Sequence, residues 1–159
     1  MTTRIGTAGT YNTGDLISAS DINSMPGGTI GKDTATADST GTVGTETVCT
    51  TAPTVGAGRE LTISFTVNLR ATAASGAFAA IFEDGVQLQR KNISISATGT
   101  DTPLHLSILS EDPGAGAHTY TGVTGVSGGG GATVTCSNNG YTGTRGVTQL
   151  RVVDSGPNF

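Results

Sequence analysis

The residues whose types and spacing could do chemistry are few. Gly125-Val-Ser-Gly-Gly129 matches the G-x-S-x-G nucleophile elbow. That elbow works where a strand-to-helix turn exposes the serine and a histidine follows it in sequence. Ser127 instead opens a glycine run, and both histidines, His105 and His118, precede it. Pro26-Gly-Gly-Thr-Ile-Gly-Lys-Asp33 echoes a phosphate loop but lacks its first glycine and its closing Ser or Thr. The acidic pairs Glu83-Asp84 and Glu111-Asp112 are of the type used for acid–base work or for oxygen ligation of a cation. Neighbouring strand residues point to opposite faces, so neither pair is expected to form a constellation. Cys49 and Cys136 offer no CxxC pair and no zinc spacing, and they read as small buried thiols in reduced form. No catalytic residue, cofactor or metal is therefore expected, and the chain reads as a protein that is not an enzyme.

Composition narrows the class further. The 8 Lys and Arg against 12 Asp and Glu leave a net charge of −4, which argues against nucleic acid as a partner. Ile, Leu, Val and Phe supply 32 of the 159 residues, Gly 25 and Thr 29, and only 13% are charged. Such a thin-cored, β-prone composition excludes a helical bundle or coiled coil. No apolar run approaches the roughly 18 residues that would span a bilayer, so no membrane is expected as partner. The opening Met1-Thr-Thr-Arg-Ile-Gly lacks the apolar region of a signal peptide, which points to synthesis in a cytoplasm.

The elements follow from period and punctuation. Leu61-Thr-Ile-Ser-Phe-Thr-Val-Asn-Leu69 alternates over nine residues, placing one face on a core and the Thr/Ser/Asn face towards solvent. Phe78–Glu83 and Val86–Arg90 flank Asp84-Gly85, a two-residue hairpin signal of type I′ chemistry. Further strands are expected over Thr45–Thr51, Leu104–Ile108, His118–Val123, Val134–Cys136 and Gln149–Val153. About eight strands without intervening helices predict an all-β antiparallel sandwich over residues 29–159. Residues 1–28 differ. Ser18 can cap a short helix over 18–25, with Asp21 at N3 completing a capping box and Ile17 and Ile22 forming a hydrophobic staple. Pro26-Gly27-Gly28 then stops it. A helix this short is marginal alone and must dock, either on its own domain or on a neighbouring subunit. Leu16, Ile17, Ile22 and Met25 form its apolar patch, each worth roughly 1.5–3 kcal/mol when buried.

Gly14-Asp-Leu-Ile-Ser-Ala-Ser-Asp-Ile-Asn-Ser-Met-Pro-Gly-Gly28 resembles the G-D-x-x-T-A-x-D-x-N-x-L-P-G-G opening of small structural proteins of tailed bacteriophages. Ser18 stands for the usual Thr and Met25 for the usual Leu. The strands that follow, with their Val-Val-Asp-Ser-Gly-Pro tail, look like the jelly-roll module of those virion proteins, similar in topology to tumour-necrosis-factor and complement-C1q heads. The resemblance implies a homotrimer on the virion, made in a bacterial host cytoplasm and held by residues 1–28. Its partners would be copies of itself and the major capsid protein, if it decorates the capsid, or tail proteins, if it is a minor tail protein. A glycan- or receptor-binding sandwich is the alternative from another class, with Tyr120 and Tyr141 as the aromatics available for stacking on a sugar. The scarcity of large aromatics, with no Trp and seven Phe and Tyr, also favours stability drawn from subunit contacts. If Thr45–Thr51 and the strand of Cys136 are the second and seventh jelly-roll strands, Cys49 and Cys136 should lie on adjacent strands of one sheet, close but unbonded.

Overall fold

The structure, a computed structural model, describes residues 27–35, 39–41, 45–96, 101–128, 134–136 and 148–158. In chain order its strands are β1 (Gly28–Thr34), β2 (Ser39–Gly41), β3 (Thr45–Thr51), β4 (Thr54–Val55), β5 (Arg59–Ala71) and β6 (Ser75–Glu83). They continue as β7 (Val86–Ile95), β8 (Thr102–Glu111), β9 (Gly116–Ala117), β10 (Tyr120–Gly128), β11 (Val134–Cys136) and β12 (Gln149–Pro157). The short helix expected over 18–25, with its caps Ser18 and Asp21, lies outside the described residues, as do Leu16, Ile17, Ile22 and Met25.

Two sheets carry the fold. In the larger, β8 pairs with one edge of β5, while β12 and then β11 pair with the other; β1 lies outside β12 and β2 outside β11. The smaller sheet runs β3-β10-β6-β7, and β4 pairs with β9 across the end of the sandwich. Every pairing is antiparallel. Counting β1/β2 and β11/β12 as one broken strand each, this is the two-times-four arrangement of a jelly roll.

Alternation makes the core. Leu61, Ile63, Phe65, Val67 and Leu69 of β5 are buried, and they meet Ala77, Ala79 and Ile81 of β6 and Tyr120 of β10 from the facing sheet. The sheets approach most closely where Phe65 lies over Gly122: a Cβ there would sit 2.6 Å from the Phe65 ring. Only glycine fits beneath that ring. Where two sheet edges meet, the Asp33 carboxylate of β1 accepts a hydrogen bond from the Thr50 amide of β3 at 2.7 Å. An edge donor that could recruit another strand is thereby occupied.

Four expectations are corrected. Strand β1 was not anticipated, because Gly28-Thr-Ile-Gly-Lys-Asp-Thr34 holds a single large apolar residue and no alternation. Missing it shifts the strand count by one. Cys49 on β3 therefore faces Gly122 of β10, whereas Cys136 on β11 pairs with Leu69 and Ser39 in the other sheet. The second and seventh strands are indeed neighbours, but the seventh is β10. Cys49 is a free, buried thiol, as expected. Finally, β12 does not end at Val153 but continues to Pro157 through a bulge after Asp154. Asn68, expected on the solvated face of β5, is buried opposite Pro103.

Candidate functional site

Among the described residues, a dense polar cluster lies at one end of the sandwich, where the β6–β7 hairpin meets the segment entering β10. Asp84 and Gly85 both have positive φ, 47° and 82°, the backbone that a type I′ turn requires. In that conformation the Asp84 carboxylate accepts from the Thr119 amide at 2.7 Å and from His118 Nδ1 at 2.8 Å. The Asp84 amide donates to the Thr119 carbonyl at 2.8 Å. Glu83 accepts from the Tyr120 hydroxyl at 2.6 Å and from Ser110 Oγ at 3.4 Å, and its Oε1 lies 3.7 Å from His118 Nδ1. Two adjacent carboxylates thus converge on one histidine, contrary to the expectation of opposite faces. The left-handed backbone at Asp84 breaks the alternation, and the Asp-Gly hairpin signal contained that information.

The electrostatics of this cluster describe a clasp. The Thr119 amide, and secondarily His118, hold the Asp84 carboxyl below its ordinary value. Burial, reinforced by the Glu83 carboxylate, pushes the Tyr120 phenol far above its own. A fully buried tyrosine that keeps its proton cannot exchange it with a substrate near neutrality, nor stack on a sugar. Of the two aromatics on which a glycan site would rest, Tyr120 is therefore removed and Tyr141 lies outside the described residues.

The other candidates are placed separately. His105 points away from the core, as alternation required, and its Nδ1 lies 2.9 Å from Thr66 Oγ1. Ser127 Oγ reaches the Ala77 carbonyl at 3.4 Å. Asp112 accepts from the Gly58 amide at 3.2 Å, while Glu111 sits directly opposite Glu60 on β5. Arg59 forks onto Asp154 with contacts of 2.7–3.1 Å, and Arg70 forks onto Asp101 at 2.9 and 3.0 Å. Among the described residues, no three His, Cys, Asp or Glu are arranged to hold a metal ion. Burial, then the nearby Asp33 charge, raises the Cys49 thiol above its ordinary value, away from the reactive thiolate.

A second feature was not legible as a site. Phe78, Ala80 and Val123 form a buried cluster, with Phe82 packed against it, separate from the main core. They alternate with the core residues Ala77, Ala79 and Ile81 and so occupy the opposite, outer face of the same sheet. Arg90 lies over the Phe78 ring at 3.8 Å from its centroid, a cation–π contact that covers the cluster.

The point at which residues 1–26 join the body is also defined. Gly28 pairs with Asp154 in β1–β12, and a Cβ on Gly27 would meet the Asp154 carboxylate. At the same end, the Asn158 amide donates to the Gly58 carbonyl at 2.9 Å.

No family model and no curated protein matches the chain. Among solved structures it is similar to the insecticidal delta-endotoxin Cry8Ea1 of Bacillus thuringiensis, with 8% identity and TM-score 0.41 over 69% of this chain and 18% of that one. It is similar to latent PorU of Porphyromonas gingivalis, with 12% identity and TM-score 0.41 over 78% and 10%. It is similar also to VP2 of the infectious bursal disease virus subviral particle, with 15% identity and TM-score 0.40 over 79% and 37%. The chain thus spans between 10% and 37% of the length of these structures.

Proposed function

We propose that this chain is a non-enzymatic structural protein of a bacteriophage virion: a homotrimeric jelly roll, anchored by residues 1–28, that decorates the capsid. The observation that carries the reading is the junction at Gly28. The segment resembling the phage G-D-x-x-T-A-x-D-x-N-x-L-P-G-G opening ends at the residue where β1 begins. An apolar anchor thus passes without a linker into the sheet. Three pairs of the body support it, because their acid–base groups engage each other: Glu83 with Tyr120, Asp84 with His118, Arg59 with Asp154.

Deleting residues 1–28 tests the anchor. The truncated protein should sediment as a folded trimer at micromolar concentration and no longer bind particles lacking the native chain. Normal occupancy by the truncated protein would overturn the anchoring role. A mass of one chain for the full-length protein would overturn the trimer.

A further inference from the structure

The topology fixes where the anchor leaves the body. Gly28 pairs with Asp154, and Asp154 pairs in turn with Leu61. Pro157 reaches Arg59, and Glu60 faces Glu111. In the other sheet, Tyr120 lies between Glu83 and Thr51, and Ser110 Oγ crosses to Glu83. One end of the sandwich therefore gathers the start of β1, the end of β12, the β4–β5 turn, the β6–β7 hairpin and the segment between β8 and β10. The β5–β6 turn at 72–74, the end of β7 and the start of β8 lie at the other end.

The reach of the chain gives this arrangement a consequence. Met25, the last apolar residue of the anchor, is two residues before Gly27, so it lies within about 7 Å of that end even if fully extended. Leu16, the first, is eleven residues away and within about 40 Å. A groove that holds Met25 must then be nearly continuous with whatever the adjoining end touches. We infer that the end formed by the β4–β5 turn, the β6–β7 hairpin and the β8–β10 segment faces the particle, seated beside the apolar groove of a capsid subunit that receives Leu16, Ile17, Ile22 and Met25. The 72–74 end points outwards. This orientation rests on the anchoring reading above and adds to it which face of the body is covered.

Thiol reporters on assembled particles test it. Val86→Cys, at a position 67% exposed beside the hairpin, and Ala57→Cys, in the β4–β5 turn, report on the inner end. Ala73→Cys, on the exposed β5–β6 turn, reports on the outer one. Each is made with Cys136→Ser and labelled with a bulky maleimide, free and particle-bound. Binding should abolish most labelling at Val86→Cys and Ala57→Cys and leave Ala73→Cys unchanged. Two inner reporters in separate loops guard against one variant failing to fold. Protection at Ala73→Cys, or equal labelling at both ends, would overturn the orientation even if deletion of residues 1–28 still abolishes binding. Full occupancy without residues 1–28 would overturn the anchoring reading, and the orientation with it, whatever the labelling shows.

Discussion

The outer faces of the two sheets are built from opposite materials. On β5, Thr62, Ser64 and Thr66 alternate with core residues, and their cross-strand neighbours on β8 are Leu109, Ser107 and His105. On β6, the residues alternating with the core are Phe78, Ala80 and Phe82, joined by Val123 of β10 and roofed by Arg90. One face is a hydroxyl surface on which, among the described residues, Leu109 is the exposed large hydrophobe. The other withdraws its aromatic rings from water. Strands with one wet face alternate cleanly, whereas strands buried on both faces read as unbroken apolar runs. Ala77-Phe-Ala-Ala-Ile-Phe82 is such a run, and the second cluster is its structural meaning.

The sharpest test of this contrast is a pair of truncations. Phe78→Ala removes a ring that is 3% exposed and should cost about 3 kcal/mol or more in urea unfolding. Thr66→Ala, on the other outer face, should stay within about 0.5 kcal/mol. Equal losses would erase the distinction between the faces. Arg90→Gln keeps a polar side chain but is shorter and loses the cation over Phe78, an effect of about 0.5–1 kcal/mol at a surface site. The part of the loss that belongs to the ring should vanish when Phe78 is already alanine, leaving only that of the Arg90–Asn92 hydrogen bond, and a double-mutant cycle separates the two. The smallest effect belongs to the wet face. Glu60 and Glu111 are directly opposite, and like charges so placed repel. Glu111→Gln should therefore stabilise the protein by about 0.2–0.5 kcal/mol, and added salt should shrink the gain.

Much of the sandwich was legible in the sequence because β5, β8 and the β6–β7 hairpin obey strong local rules. Period two placed Leu61 through Leu69, and Asp84-Gly85 announced its turn. What escaped reading depends on distant partners. Gly28–Thr34 is a strand because β12 offers it an edge, not because its own residues demand one. His118 offered little as a strand-opening residue, yet Asp84, 34 positions earlier, binds it. Tyr120 looked available to a ligand until the facing sheet covered it. Local pattern identifies strands, while pairings across the sandwich decide which polar residues meet.

The position of β12 also governs the order in which the molecule can be finished. It lies between β1 and β5, so neither of those strands acquires this neighbour until Gln149 and its successors have been synthesised. Thr34 waits 115 residues for Gln149, roughly 6–23 s at about 5–20 residues per second. During that interval β1 is an unpaired segment leaving the ribosome, the kind of edge that recruits the wrong partner. Its composition answers the hazard: two glycines, two threonines, a lysine, an aspartate and one isoleucine offer little that a neighbouring nascent chain could hold. The poverty that hid β1 from a reading of the sequence is what lets it wait.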